Sequence, residues 1–326
     1  MRRAIQRPRL RRPLALLCCT ATLVLAGCAT AEPAAPPSPT TTAKAAYPEL
    51  PQYPEVTVHR DVAYRTVDGV TLAVDVCLPG DSDSDSSDDD RSAARASILS
   101  IHGGSWRTGD KSSVYWLSVC QWLASEGYVA FSADYRLAPQ HPFPAGLDDL
   151  RAAVRWIRSE KTVDRYRLDP ERVGAFGGSA GGNLAAMLGT EGEGSLTSGS
   201  RVAAVAELSG PSDLTRDGAH LGDGLGPAFE RVELDYLGCT SWKGCTQGQE
   251  ASPVYQVDPS DSPFFIGHST DERIPLEQSR VLASVLRARG VPVTLVTPEG
   301  TAHSIAMLND ELRDRIIDFY RENLGD

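Results

Sequence analysis

Gly177-Gly178-Ser179-Ala180-Gly181 sets a serine between glycines two residues to either side. It follows a short apolar run, residues 172–176, and precedes residues 180–188, whose apolar positions recur at helical spacing. On a sharp strand-to-helix turn a serine hydroxyl stands clear of the sheet, and the flanking glycines remove the clashes that such a turn creates. The amides that open the following helix point at any oxyanion developing on a carbonyl held against the serine. The chemistry this suits is nucleophilic acyl transfer. A phosphate-binding loop would need a lysine before the hydroxyl residue, and a dinucleotide fingerprint would need glycines at positions i, i+2 and i+5; neither is present. A second glycine cluster, His102-Gly103-Gly104-Ser105-Trp106, closes another apolar run. Backbone N–H groups can approach a substrate oxygen closely there. Gly103, Gly104 and the amide of Ala180 are therefore the expected oxyanion donors, with His102 bracing the loop rather than moving protons.

Three histidines follow Ser179: His220, His268 and His303. In hydrolases with this serine turn the chain order is serine, acid, histidine. His303 lies just beyond the apolar run 291–297, and Asp271 just beyond the run 263–267. One helix and one strand separate them, the span of a parallel crossover, so both should reach the same sheet edge. Asp271 is thus the expected acid and His303 the base. Glu272 is the main competitor of Asp271, disfavoured for its longer side chain and shifted direction. His268 comes too early in the chain for the base.

Short apolar runs alternating with helical patterns surround these residues. Residues 56–66 and 70–78 read as a hairpin across Asp68-Gly69. Strands are then expected at 96–101, 128–133, 172–176, 202–208, 263–267 and 291–297, and helices at 113–125, 147–159, 180–188, 276–289 and 306–323. The pattern predicts an α/β fold, a mostly parallel sheet covered on both faces, whose active site lies at the carboxyl ends of the strands. Every motif above falls at such an end. Residues 211–262 form the one sizeable insertion, between two late strands.

The His-Gly-Gly motif, Asp134-Tyr135-Arg136-Leu137-Ala138-Pro139, His141-Pro142-Phe143-Pro144 and Gly178-Ser179-Ala180-Gly181-Gly182 occur in that order. Together they resemble the bacterial esterase/lipase family related to hormone-sensitive lipase, and still more its branch of small feruloyl- and acetyl-esterase-like enzymes. The resemblance runs from about residue 56 to the C-terminus. It implies an α/β-hydrolase fold, an ester substrate, a Ser-Asp-His triad working through an acyl-enzyme, and neither metal nor organic cofactor. The run Asp271-Glu272-Arg273-Ile274-Pro275 also resembles the acid loop of that family, with Asp271 as the acid. Two departures stand out: Ser105 replaces the third glycine of the oxyanion motif, and Gly178 stands where many members carry an acid.

The chain ends add a second theme. Residues 1–27 hold six arginines and no acid, followed by an apolar stretch too short to span a membrane comfortably, as in a signal peptide. Leu25-Ala26-Gly27-Cys28 resembles the lipobox of bacterial lipoproteins, which implies cleavage before Cys28, two acyl chains on its thiol, and export to the outer face of a bacterial membrane. Residues 28–46, rich in Ala, Pro and Thr, read as a tether, and 47–326 as the catalytic domain. Without residues 1–27 the chain keeps 26 basic against 43 acidic residues, a net charge near −17, which disfavours nucleic acid as a partner. Residues 81–95 include six acids within Asp81–Asp90 and read as a solvated loop. Cys239 and Cys245 are expected to pair; Cys77 and Cys120 stay open.

The absence of a long helical segment before the first strand leaves no room for the usual cap of hormone-sensitive-lipase relatives. Trp106 and Trp242 are expected to wall a compact pocket, favouring short acyl chains. Two other readings stay on the table: a serine peptidase of the same fold, which usually carries a large extra domain, and a non-catalytic binding protein on a hydrolase scaffold, which typically loses triad members.

Overall fold

In the computed structural model, residues 52–80 and 94–325 are described. Cys28, the tether and most of the acidic loop lie outside them. Eight strands form one sheet in the order β1-β2-β4-β3-β5-β6-β7-β8. β1 (Thr57–Val67) and β2 (Val70–Leu78) make an antiparallel hairpin, with Asp68 and Gly69 both at positive φ in its turn. β2 meets β4 (Val129–Ala133) antiparallel. β3 (Arg95–Ile101), β5 (Leu168–Gly178), β6 (Ala204–Leu208), β7 (Phe264–Gly267) and β8 (Val293–Val296) continue in parallel. This is the mostly parallel α/β-hydrolase sheet that the alternating pattern predicts.

Side chains alternate across the sheet as a strand's two-residue period requires. Leu99, Ile101, Val173, Ala175, Phe264 and Ile266 enter the core on one face, packed with residues of α2 (Ala145–Ile157), α4 (Ala180–Gly189) and α7 (Leu276–Ala288). Ile98, Phe176 and Phe265 enter the other core, under α1 (Val114–Ser125) and α8 (Asp310–Leu324). Both faces are covered, so the parallel strands read as near-continuous apolar runs.

Among the described residues, three α-helices lie outside the predicted set. α3 (Glu160–Tyr166) follows α2 directly and ends on Arg167 at φ 54°, and β5 starts at Leu168, four residues before its apolar run. The insertion contains α5 (Pro227–Leu237) and α6 (Gln247–Glu250). Pro227 opens α5 and Gly238, at φ 70°, closes it, the usual asymmetry of helix ends. The insertion is fastened to the core: Asn183 Nδ2 donates to Pro211 O and Ala251 O (3.1 Å each), and Gln278 Oε1 accepts from the amides of Ser212 (2.9 Å) and Asp213 (2.8 Å).

Cys239 pairs with Cys245, and Cys77 in β2 pairs with Cys120 in α1. The first bridge staples the turn that follows α5. The second ties a covering helix to the sheet across 43 residues, and both of its sulfurs are buried. Loop-closure entropy grows with the enclosed length, giving about 4 kcal/mol for the long bridge and about 2 for the short one. Replacing Cys77 and Cys120 together by Ala should therefore lower the unfolding free energy more than replacing Cys239 and Cys245. Equal denaturation midpoints for the two double variants would show that the long bridge does not constrain the chain.

Candidate active site

Ser179 sits between β5 and α4 at φ 57° and ψ −124°, a strained conformation for a residue with a side chain. Its amide donates to Leu208 O of β6 (2.7 Å), which fixes the turn to the sheet. A Cβ on Gly177 would stand 2.1 Å from Gly181 O, and one on Gly181 would stand 2.1 Å from Ile101 O. Both glycines are thus required by backbone crowding. Gly178 is also explained. A side chain there would start 2.1 Å from Ser304 Oγ, so a larger residue would have to displace that hydroxyl. Ser304 itself stands at φ 59°, and its amide donates to Ser209 Oγ (3.0 Å). Beneath the turn lies Glu207, fully buried, whose Oε2 accepts from the Gly210 amide (2.7 Å). Burial pushes its pKa up to about 8, which favours its neutral form.

The oxyanion loop is held from behind. His102 stacks on Tyr135 (centroids 4.3 Å apart), and Tyr135 Oη donates to His102 O (2.8 Å). Nδ1 of His102 donates to Gly103 O (2.8 Å), and burial holds the ring's pKa below the ordinary value. Gly104 stands at φ 121°, and a Cβ on it would meet Thr108 O at 2.0 Å. Ser105 and Trp106 both adopt φ 56°. The serine in place of the third glycine is therefore accommodated in the left-handed region, where a glycine would be unstrained.

Gly103, Gly104, Ser179 and His303 line one cavity of about 760 Å³. Ala180 follows Ser179 as the first residue of α4. Ser179, Gly103, Gly104 and His303 thus meet as their spacing requires, whereas Asp271 does not join them. The carboxylate against His303 Nδ1 is Glu272 Oε2. Asp271 is exposed, and its amide donates to Gly300 O (2.9 Å). The reason lies in the backbone. Beyond β7 and β8 the two chains stay zipped: the amides of His268, Thr270 and Asp271 donate to Val296 O, Pro298 O and Gly300 O. With its amide committed to this ladder, Asp271 points to solvent and the next side chain turns inward. The added methylene that counted against Glu272 is what lets its carboxylate reach between two rings.

The second ring is His268, fully buried. Its Nε2 donates to Ile274 O (2.8 Å) and lies 3.0 Å from Glu272 Oε1, while Nδ1 is 2.7 Å from Ser279 Oγ. Burial alone would raise the pKa of Glu272, but the hydrogen bonds and charges of His268 and His303 hold it below the ordinary value. Burial also disfavours the charged form of His268, yet Glu272 and the Ile274 carbonyl carry its pKa above normal. For His303 burial wins: its pKa is lowered, with the Arg273 and His268 charges adding to the shift and Glu272 opposing it. A lowered pKa favours the neutral ring, the form that proton abstraction from a serine needs.

Trp106 and Trp242 do not line this cavity. Trp106 is buried, stacked on Tyr236 at 4.3 Å, and serves the core between the oxyanion loop and α5. Trp242 donates from Nε1 to Glu230 Oε2 (2.9 Å) and borders a separate hollow on the insertion. The aromatic wall comes instead from Tyr115 and Trp116 of α1, with Arg107, Arg273 and Gln140 among the polar residues. These were missed because α1 looks like an ordinary covering helix in sequence; two adjacent aromatics at its start were the available signal. Among the described residues there is no cluster of His, Cys, Asp or Glu that would hold a metal ion, and no helix is long and apolar enough to cross a membrane.

Comparison with known proteins agrees with this fold. A solved esterase from the planctomycete Thermogutta terrifontis superposes with a TM-score of 0.62 at 24% identity, covering 85% of this chain and 95% of that one. A truncated carbohydrate esterase from gut microbiota gives a TM-score of 0.66 at 22% identity over 85% of this chain and all of the other. Among curated proteins, esterase LipC of Mycobacterium tuberculosis is 32% identical over 206 residues, 59% of this chain and 48% of its own length. Mouse arylacetamide deacetylase is 41% identical over 97 residues, 29% of this chain and 24% of its own. The chain thus spans a quarter to a half of the curated relatives that it matches. The family model described as BD-FAE matches residues 87–286, more than half of the chain, and the protein belongs to that family.

Proposed function

We propose that the protein is a serine esterase, a hydrolase of carboxylic esters, exported and held at a membrane by lipid on Cys28. Ser179 Oγ attacks the ester carbonyl while His303 takes its proton, and Glu272 steadies the imidazolium. The amides of Gly103, Gly104 and Ala180 receive the oxyanion, each worth on the order of 3 kcal/mol in the barrier. His303 returns the proton to the leaving alcohol. Water, activated by the same histidine, then frees the acid from Ser179. The observation that carries this reading is the strained Ser179 sharing one cavity with His303, whose far nitrogen meets a buried carboxylate. A fluorophosphonate probe should label Ser179, which separates an enzyme from a binding protein. An ester-versus-amide panel should favour esters, which separates an esterase from a peptidase.

Short acyl chains are the expected substrates. Structures of the Thermogutta terrifontis esterase at 26% identity have been solved with butyrate and with propionate bound. Across nitrophenyl esters of two to sixteen carbons, kcat/KM should peak at four or below; a maximum at ten or longer would overturn the preference.

The membrane anchor rests on Leu25-Ala26-Gly27-Cys28 and the basic, acid-free segment before it. Cells fed a radiolabelled fatty acid should label the wild type and not Cys28→Ala. Label that persists in the variant would place the anchor elsewhere.

A further inference from the structure

Resting on the esterase reading, we propose that this site is built for esters that carry a carboxylate, received by Arg273 and Arg107. Both guanidinium residues line the cavity that holds Ser179 and His303, and among the described residues no aspartate or glutamate lines it. That sign is opposite to the net charge of the whole chain, which has 43 acidic and 32 basic residues. Arg273 follows Glu272 on the acid loop, is exposed, and has no hydrogen-bond or ion-pair partner among the described residues. Other exposed arginines, Arg155, Arg287 and Arg315 among them, also lack such a partner among the described residues, but none of these lines the cavity. Arg107 follows the oxyanion glycines, with its amide donating to Gly104 O (3.0 Å). Its guanidinium stands 3.7 Å from Asp235 Oδ2, beyond hydrogen-bond distance, and Asp235 is already engaged by Arg231. The two cations thus come from the two loops that carry the oxyanion donors and the acid.

An unpaired cation beside a general base has a cost. The charge of Arg273 lowers the basicity of His303, and no internal contact made by the arginine offsets this. A substrate anion would offset it. Its charge would be met by a planar fork suited to two-point binding of a carboxylate, and it would restore basicity to the histidine when the complex forms. The net negative charge of the chain adds selectivity, because it opposes non-specific binding of an anionic ester.

Two ester pairs test the proposal and report on which side of the scissile bond the anion sits. One pair is the mono-4-nitrophenyl ester of glutarate against its methyl-capped form. The other is 4-acetoxybenzoate against its methyl ester, each rate being corrected for spontaneous hydrolysis. In at least one pair the anionic member should be favoured in kcat/KM by about tenfold at low salt, the advantage of a charge-assisted hydrogen bond. The preference should shrink as salt is raised. It should fall in Arg273→Gln and Arg107→Gln and be partly kept in Arg273→Lys. A change confined to the basicity of His303 would alter both members of a pair equally and leave the ratio untouched. Equal rates within both pairs, or a ratio unmoved by either glutamine variant, would overturn the proposal. Calorimetric binding of 4-acetamidobenzoate and its methyl ester to Ser179→Ala reads the same preference without turnover. If no ester is cleaved while the anion still binds tighter, the esterase reading fails and the anion site stands; equal binding removes the anion site itself.

Discussion

Ser179→Ala is expected to lose ester hydrolysis by on the order of 10⁵–10⁶-fold while folding as the wild type does. Serine, histidine and acid act as a unit, so removing the nucleophile leaves only the contribution of the oxyanion donors and binding. The fold should survive because the turn is held by other atoms. The Ser179 amide bonds to Leu208 O, Asn183 N bonds to Ser179 O (3.0 Å), and the crowding around Gly177 and Gly181 involves no atom of the serine side chain. Alanine carries the same strain at φ 57° as serine does. The thermal midpoint should move by no more than about 2 °C. A double variant with His303→Ala should be no less active than Ser179→Ala alone. Retention of a tenth of wild-type activity on a nitrophenyl ester, with the protein folded, would remove Ser179 from the chemistry.

How legible each feature is in the sequence depends on how local its cause is. The parallel strands were legible because burial on both faces writes continuous apolar runs, and the elbow because backbone crowding at Gly177 and Gly181 admits no other residue. α5 was not legible from periodicity. Its inward face includes Glu233, a buried carboxyl that burial holds well above its ordinary pKa, so a core position appears in the sequence as a charge. The helix's punctuation, Pro227 and Gly238, was the signal to follow. Trp106 and Trp242 misled for the opposite reason. Large aromatics beside a catalytic motif suggest a pocket wall, yet both found partners, one stacked on Tyr236 and one bonded to Glu230, and the cavity was left to Tyr115 and Trp116. The choice between Asp271 and Glu272 was a question of register. One residue decides which side chain faces inward, and the register is set by amide bonds to the loop after β8, thirty residues away in the chain.

That register makes the sharpest test of the site. Glu272→Gln should reduce kcat/KM by on the order of 10³–10⁴-fold, since a neutral amide neither steadies the imidazolium nor fixes the tautomer that leaves the nitrogen facing Ser179 free to accept. Asp271→Asn should stay within about threefold of wild type, because its exposed carboxylate touches neither histidine. The pH profile separates the roles further. Activity requires neutral His303, so kcat/KM rises with pH through the pKa of that ring. Burial places this pKa below the ordinary histidine value, helped by Arg273 and His268 and opposed only by Glu272. Removing the one group that favours the imidazolium must carry the acid limb to still lower pH in Glu272→Gln, whereas in Asp271→Asn the limb should not move. Glu272→Asp should fall between the two, keeping the charge but losing the methylene that spans from His303 to His268. Equal losses from Glu272→Gln and Asp271→Asn in folded proteins, or a limb that shifts only in the latter, would return the acid's role to Asp271 and would mean that the ladder beyond β7 and β8 rearranges when substrate binds.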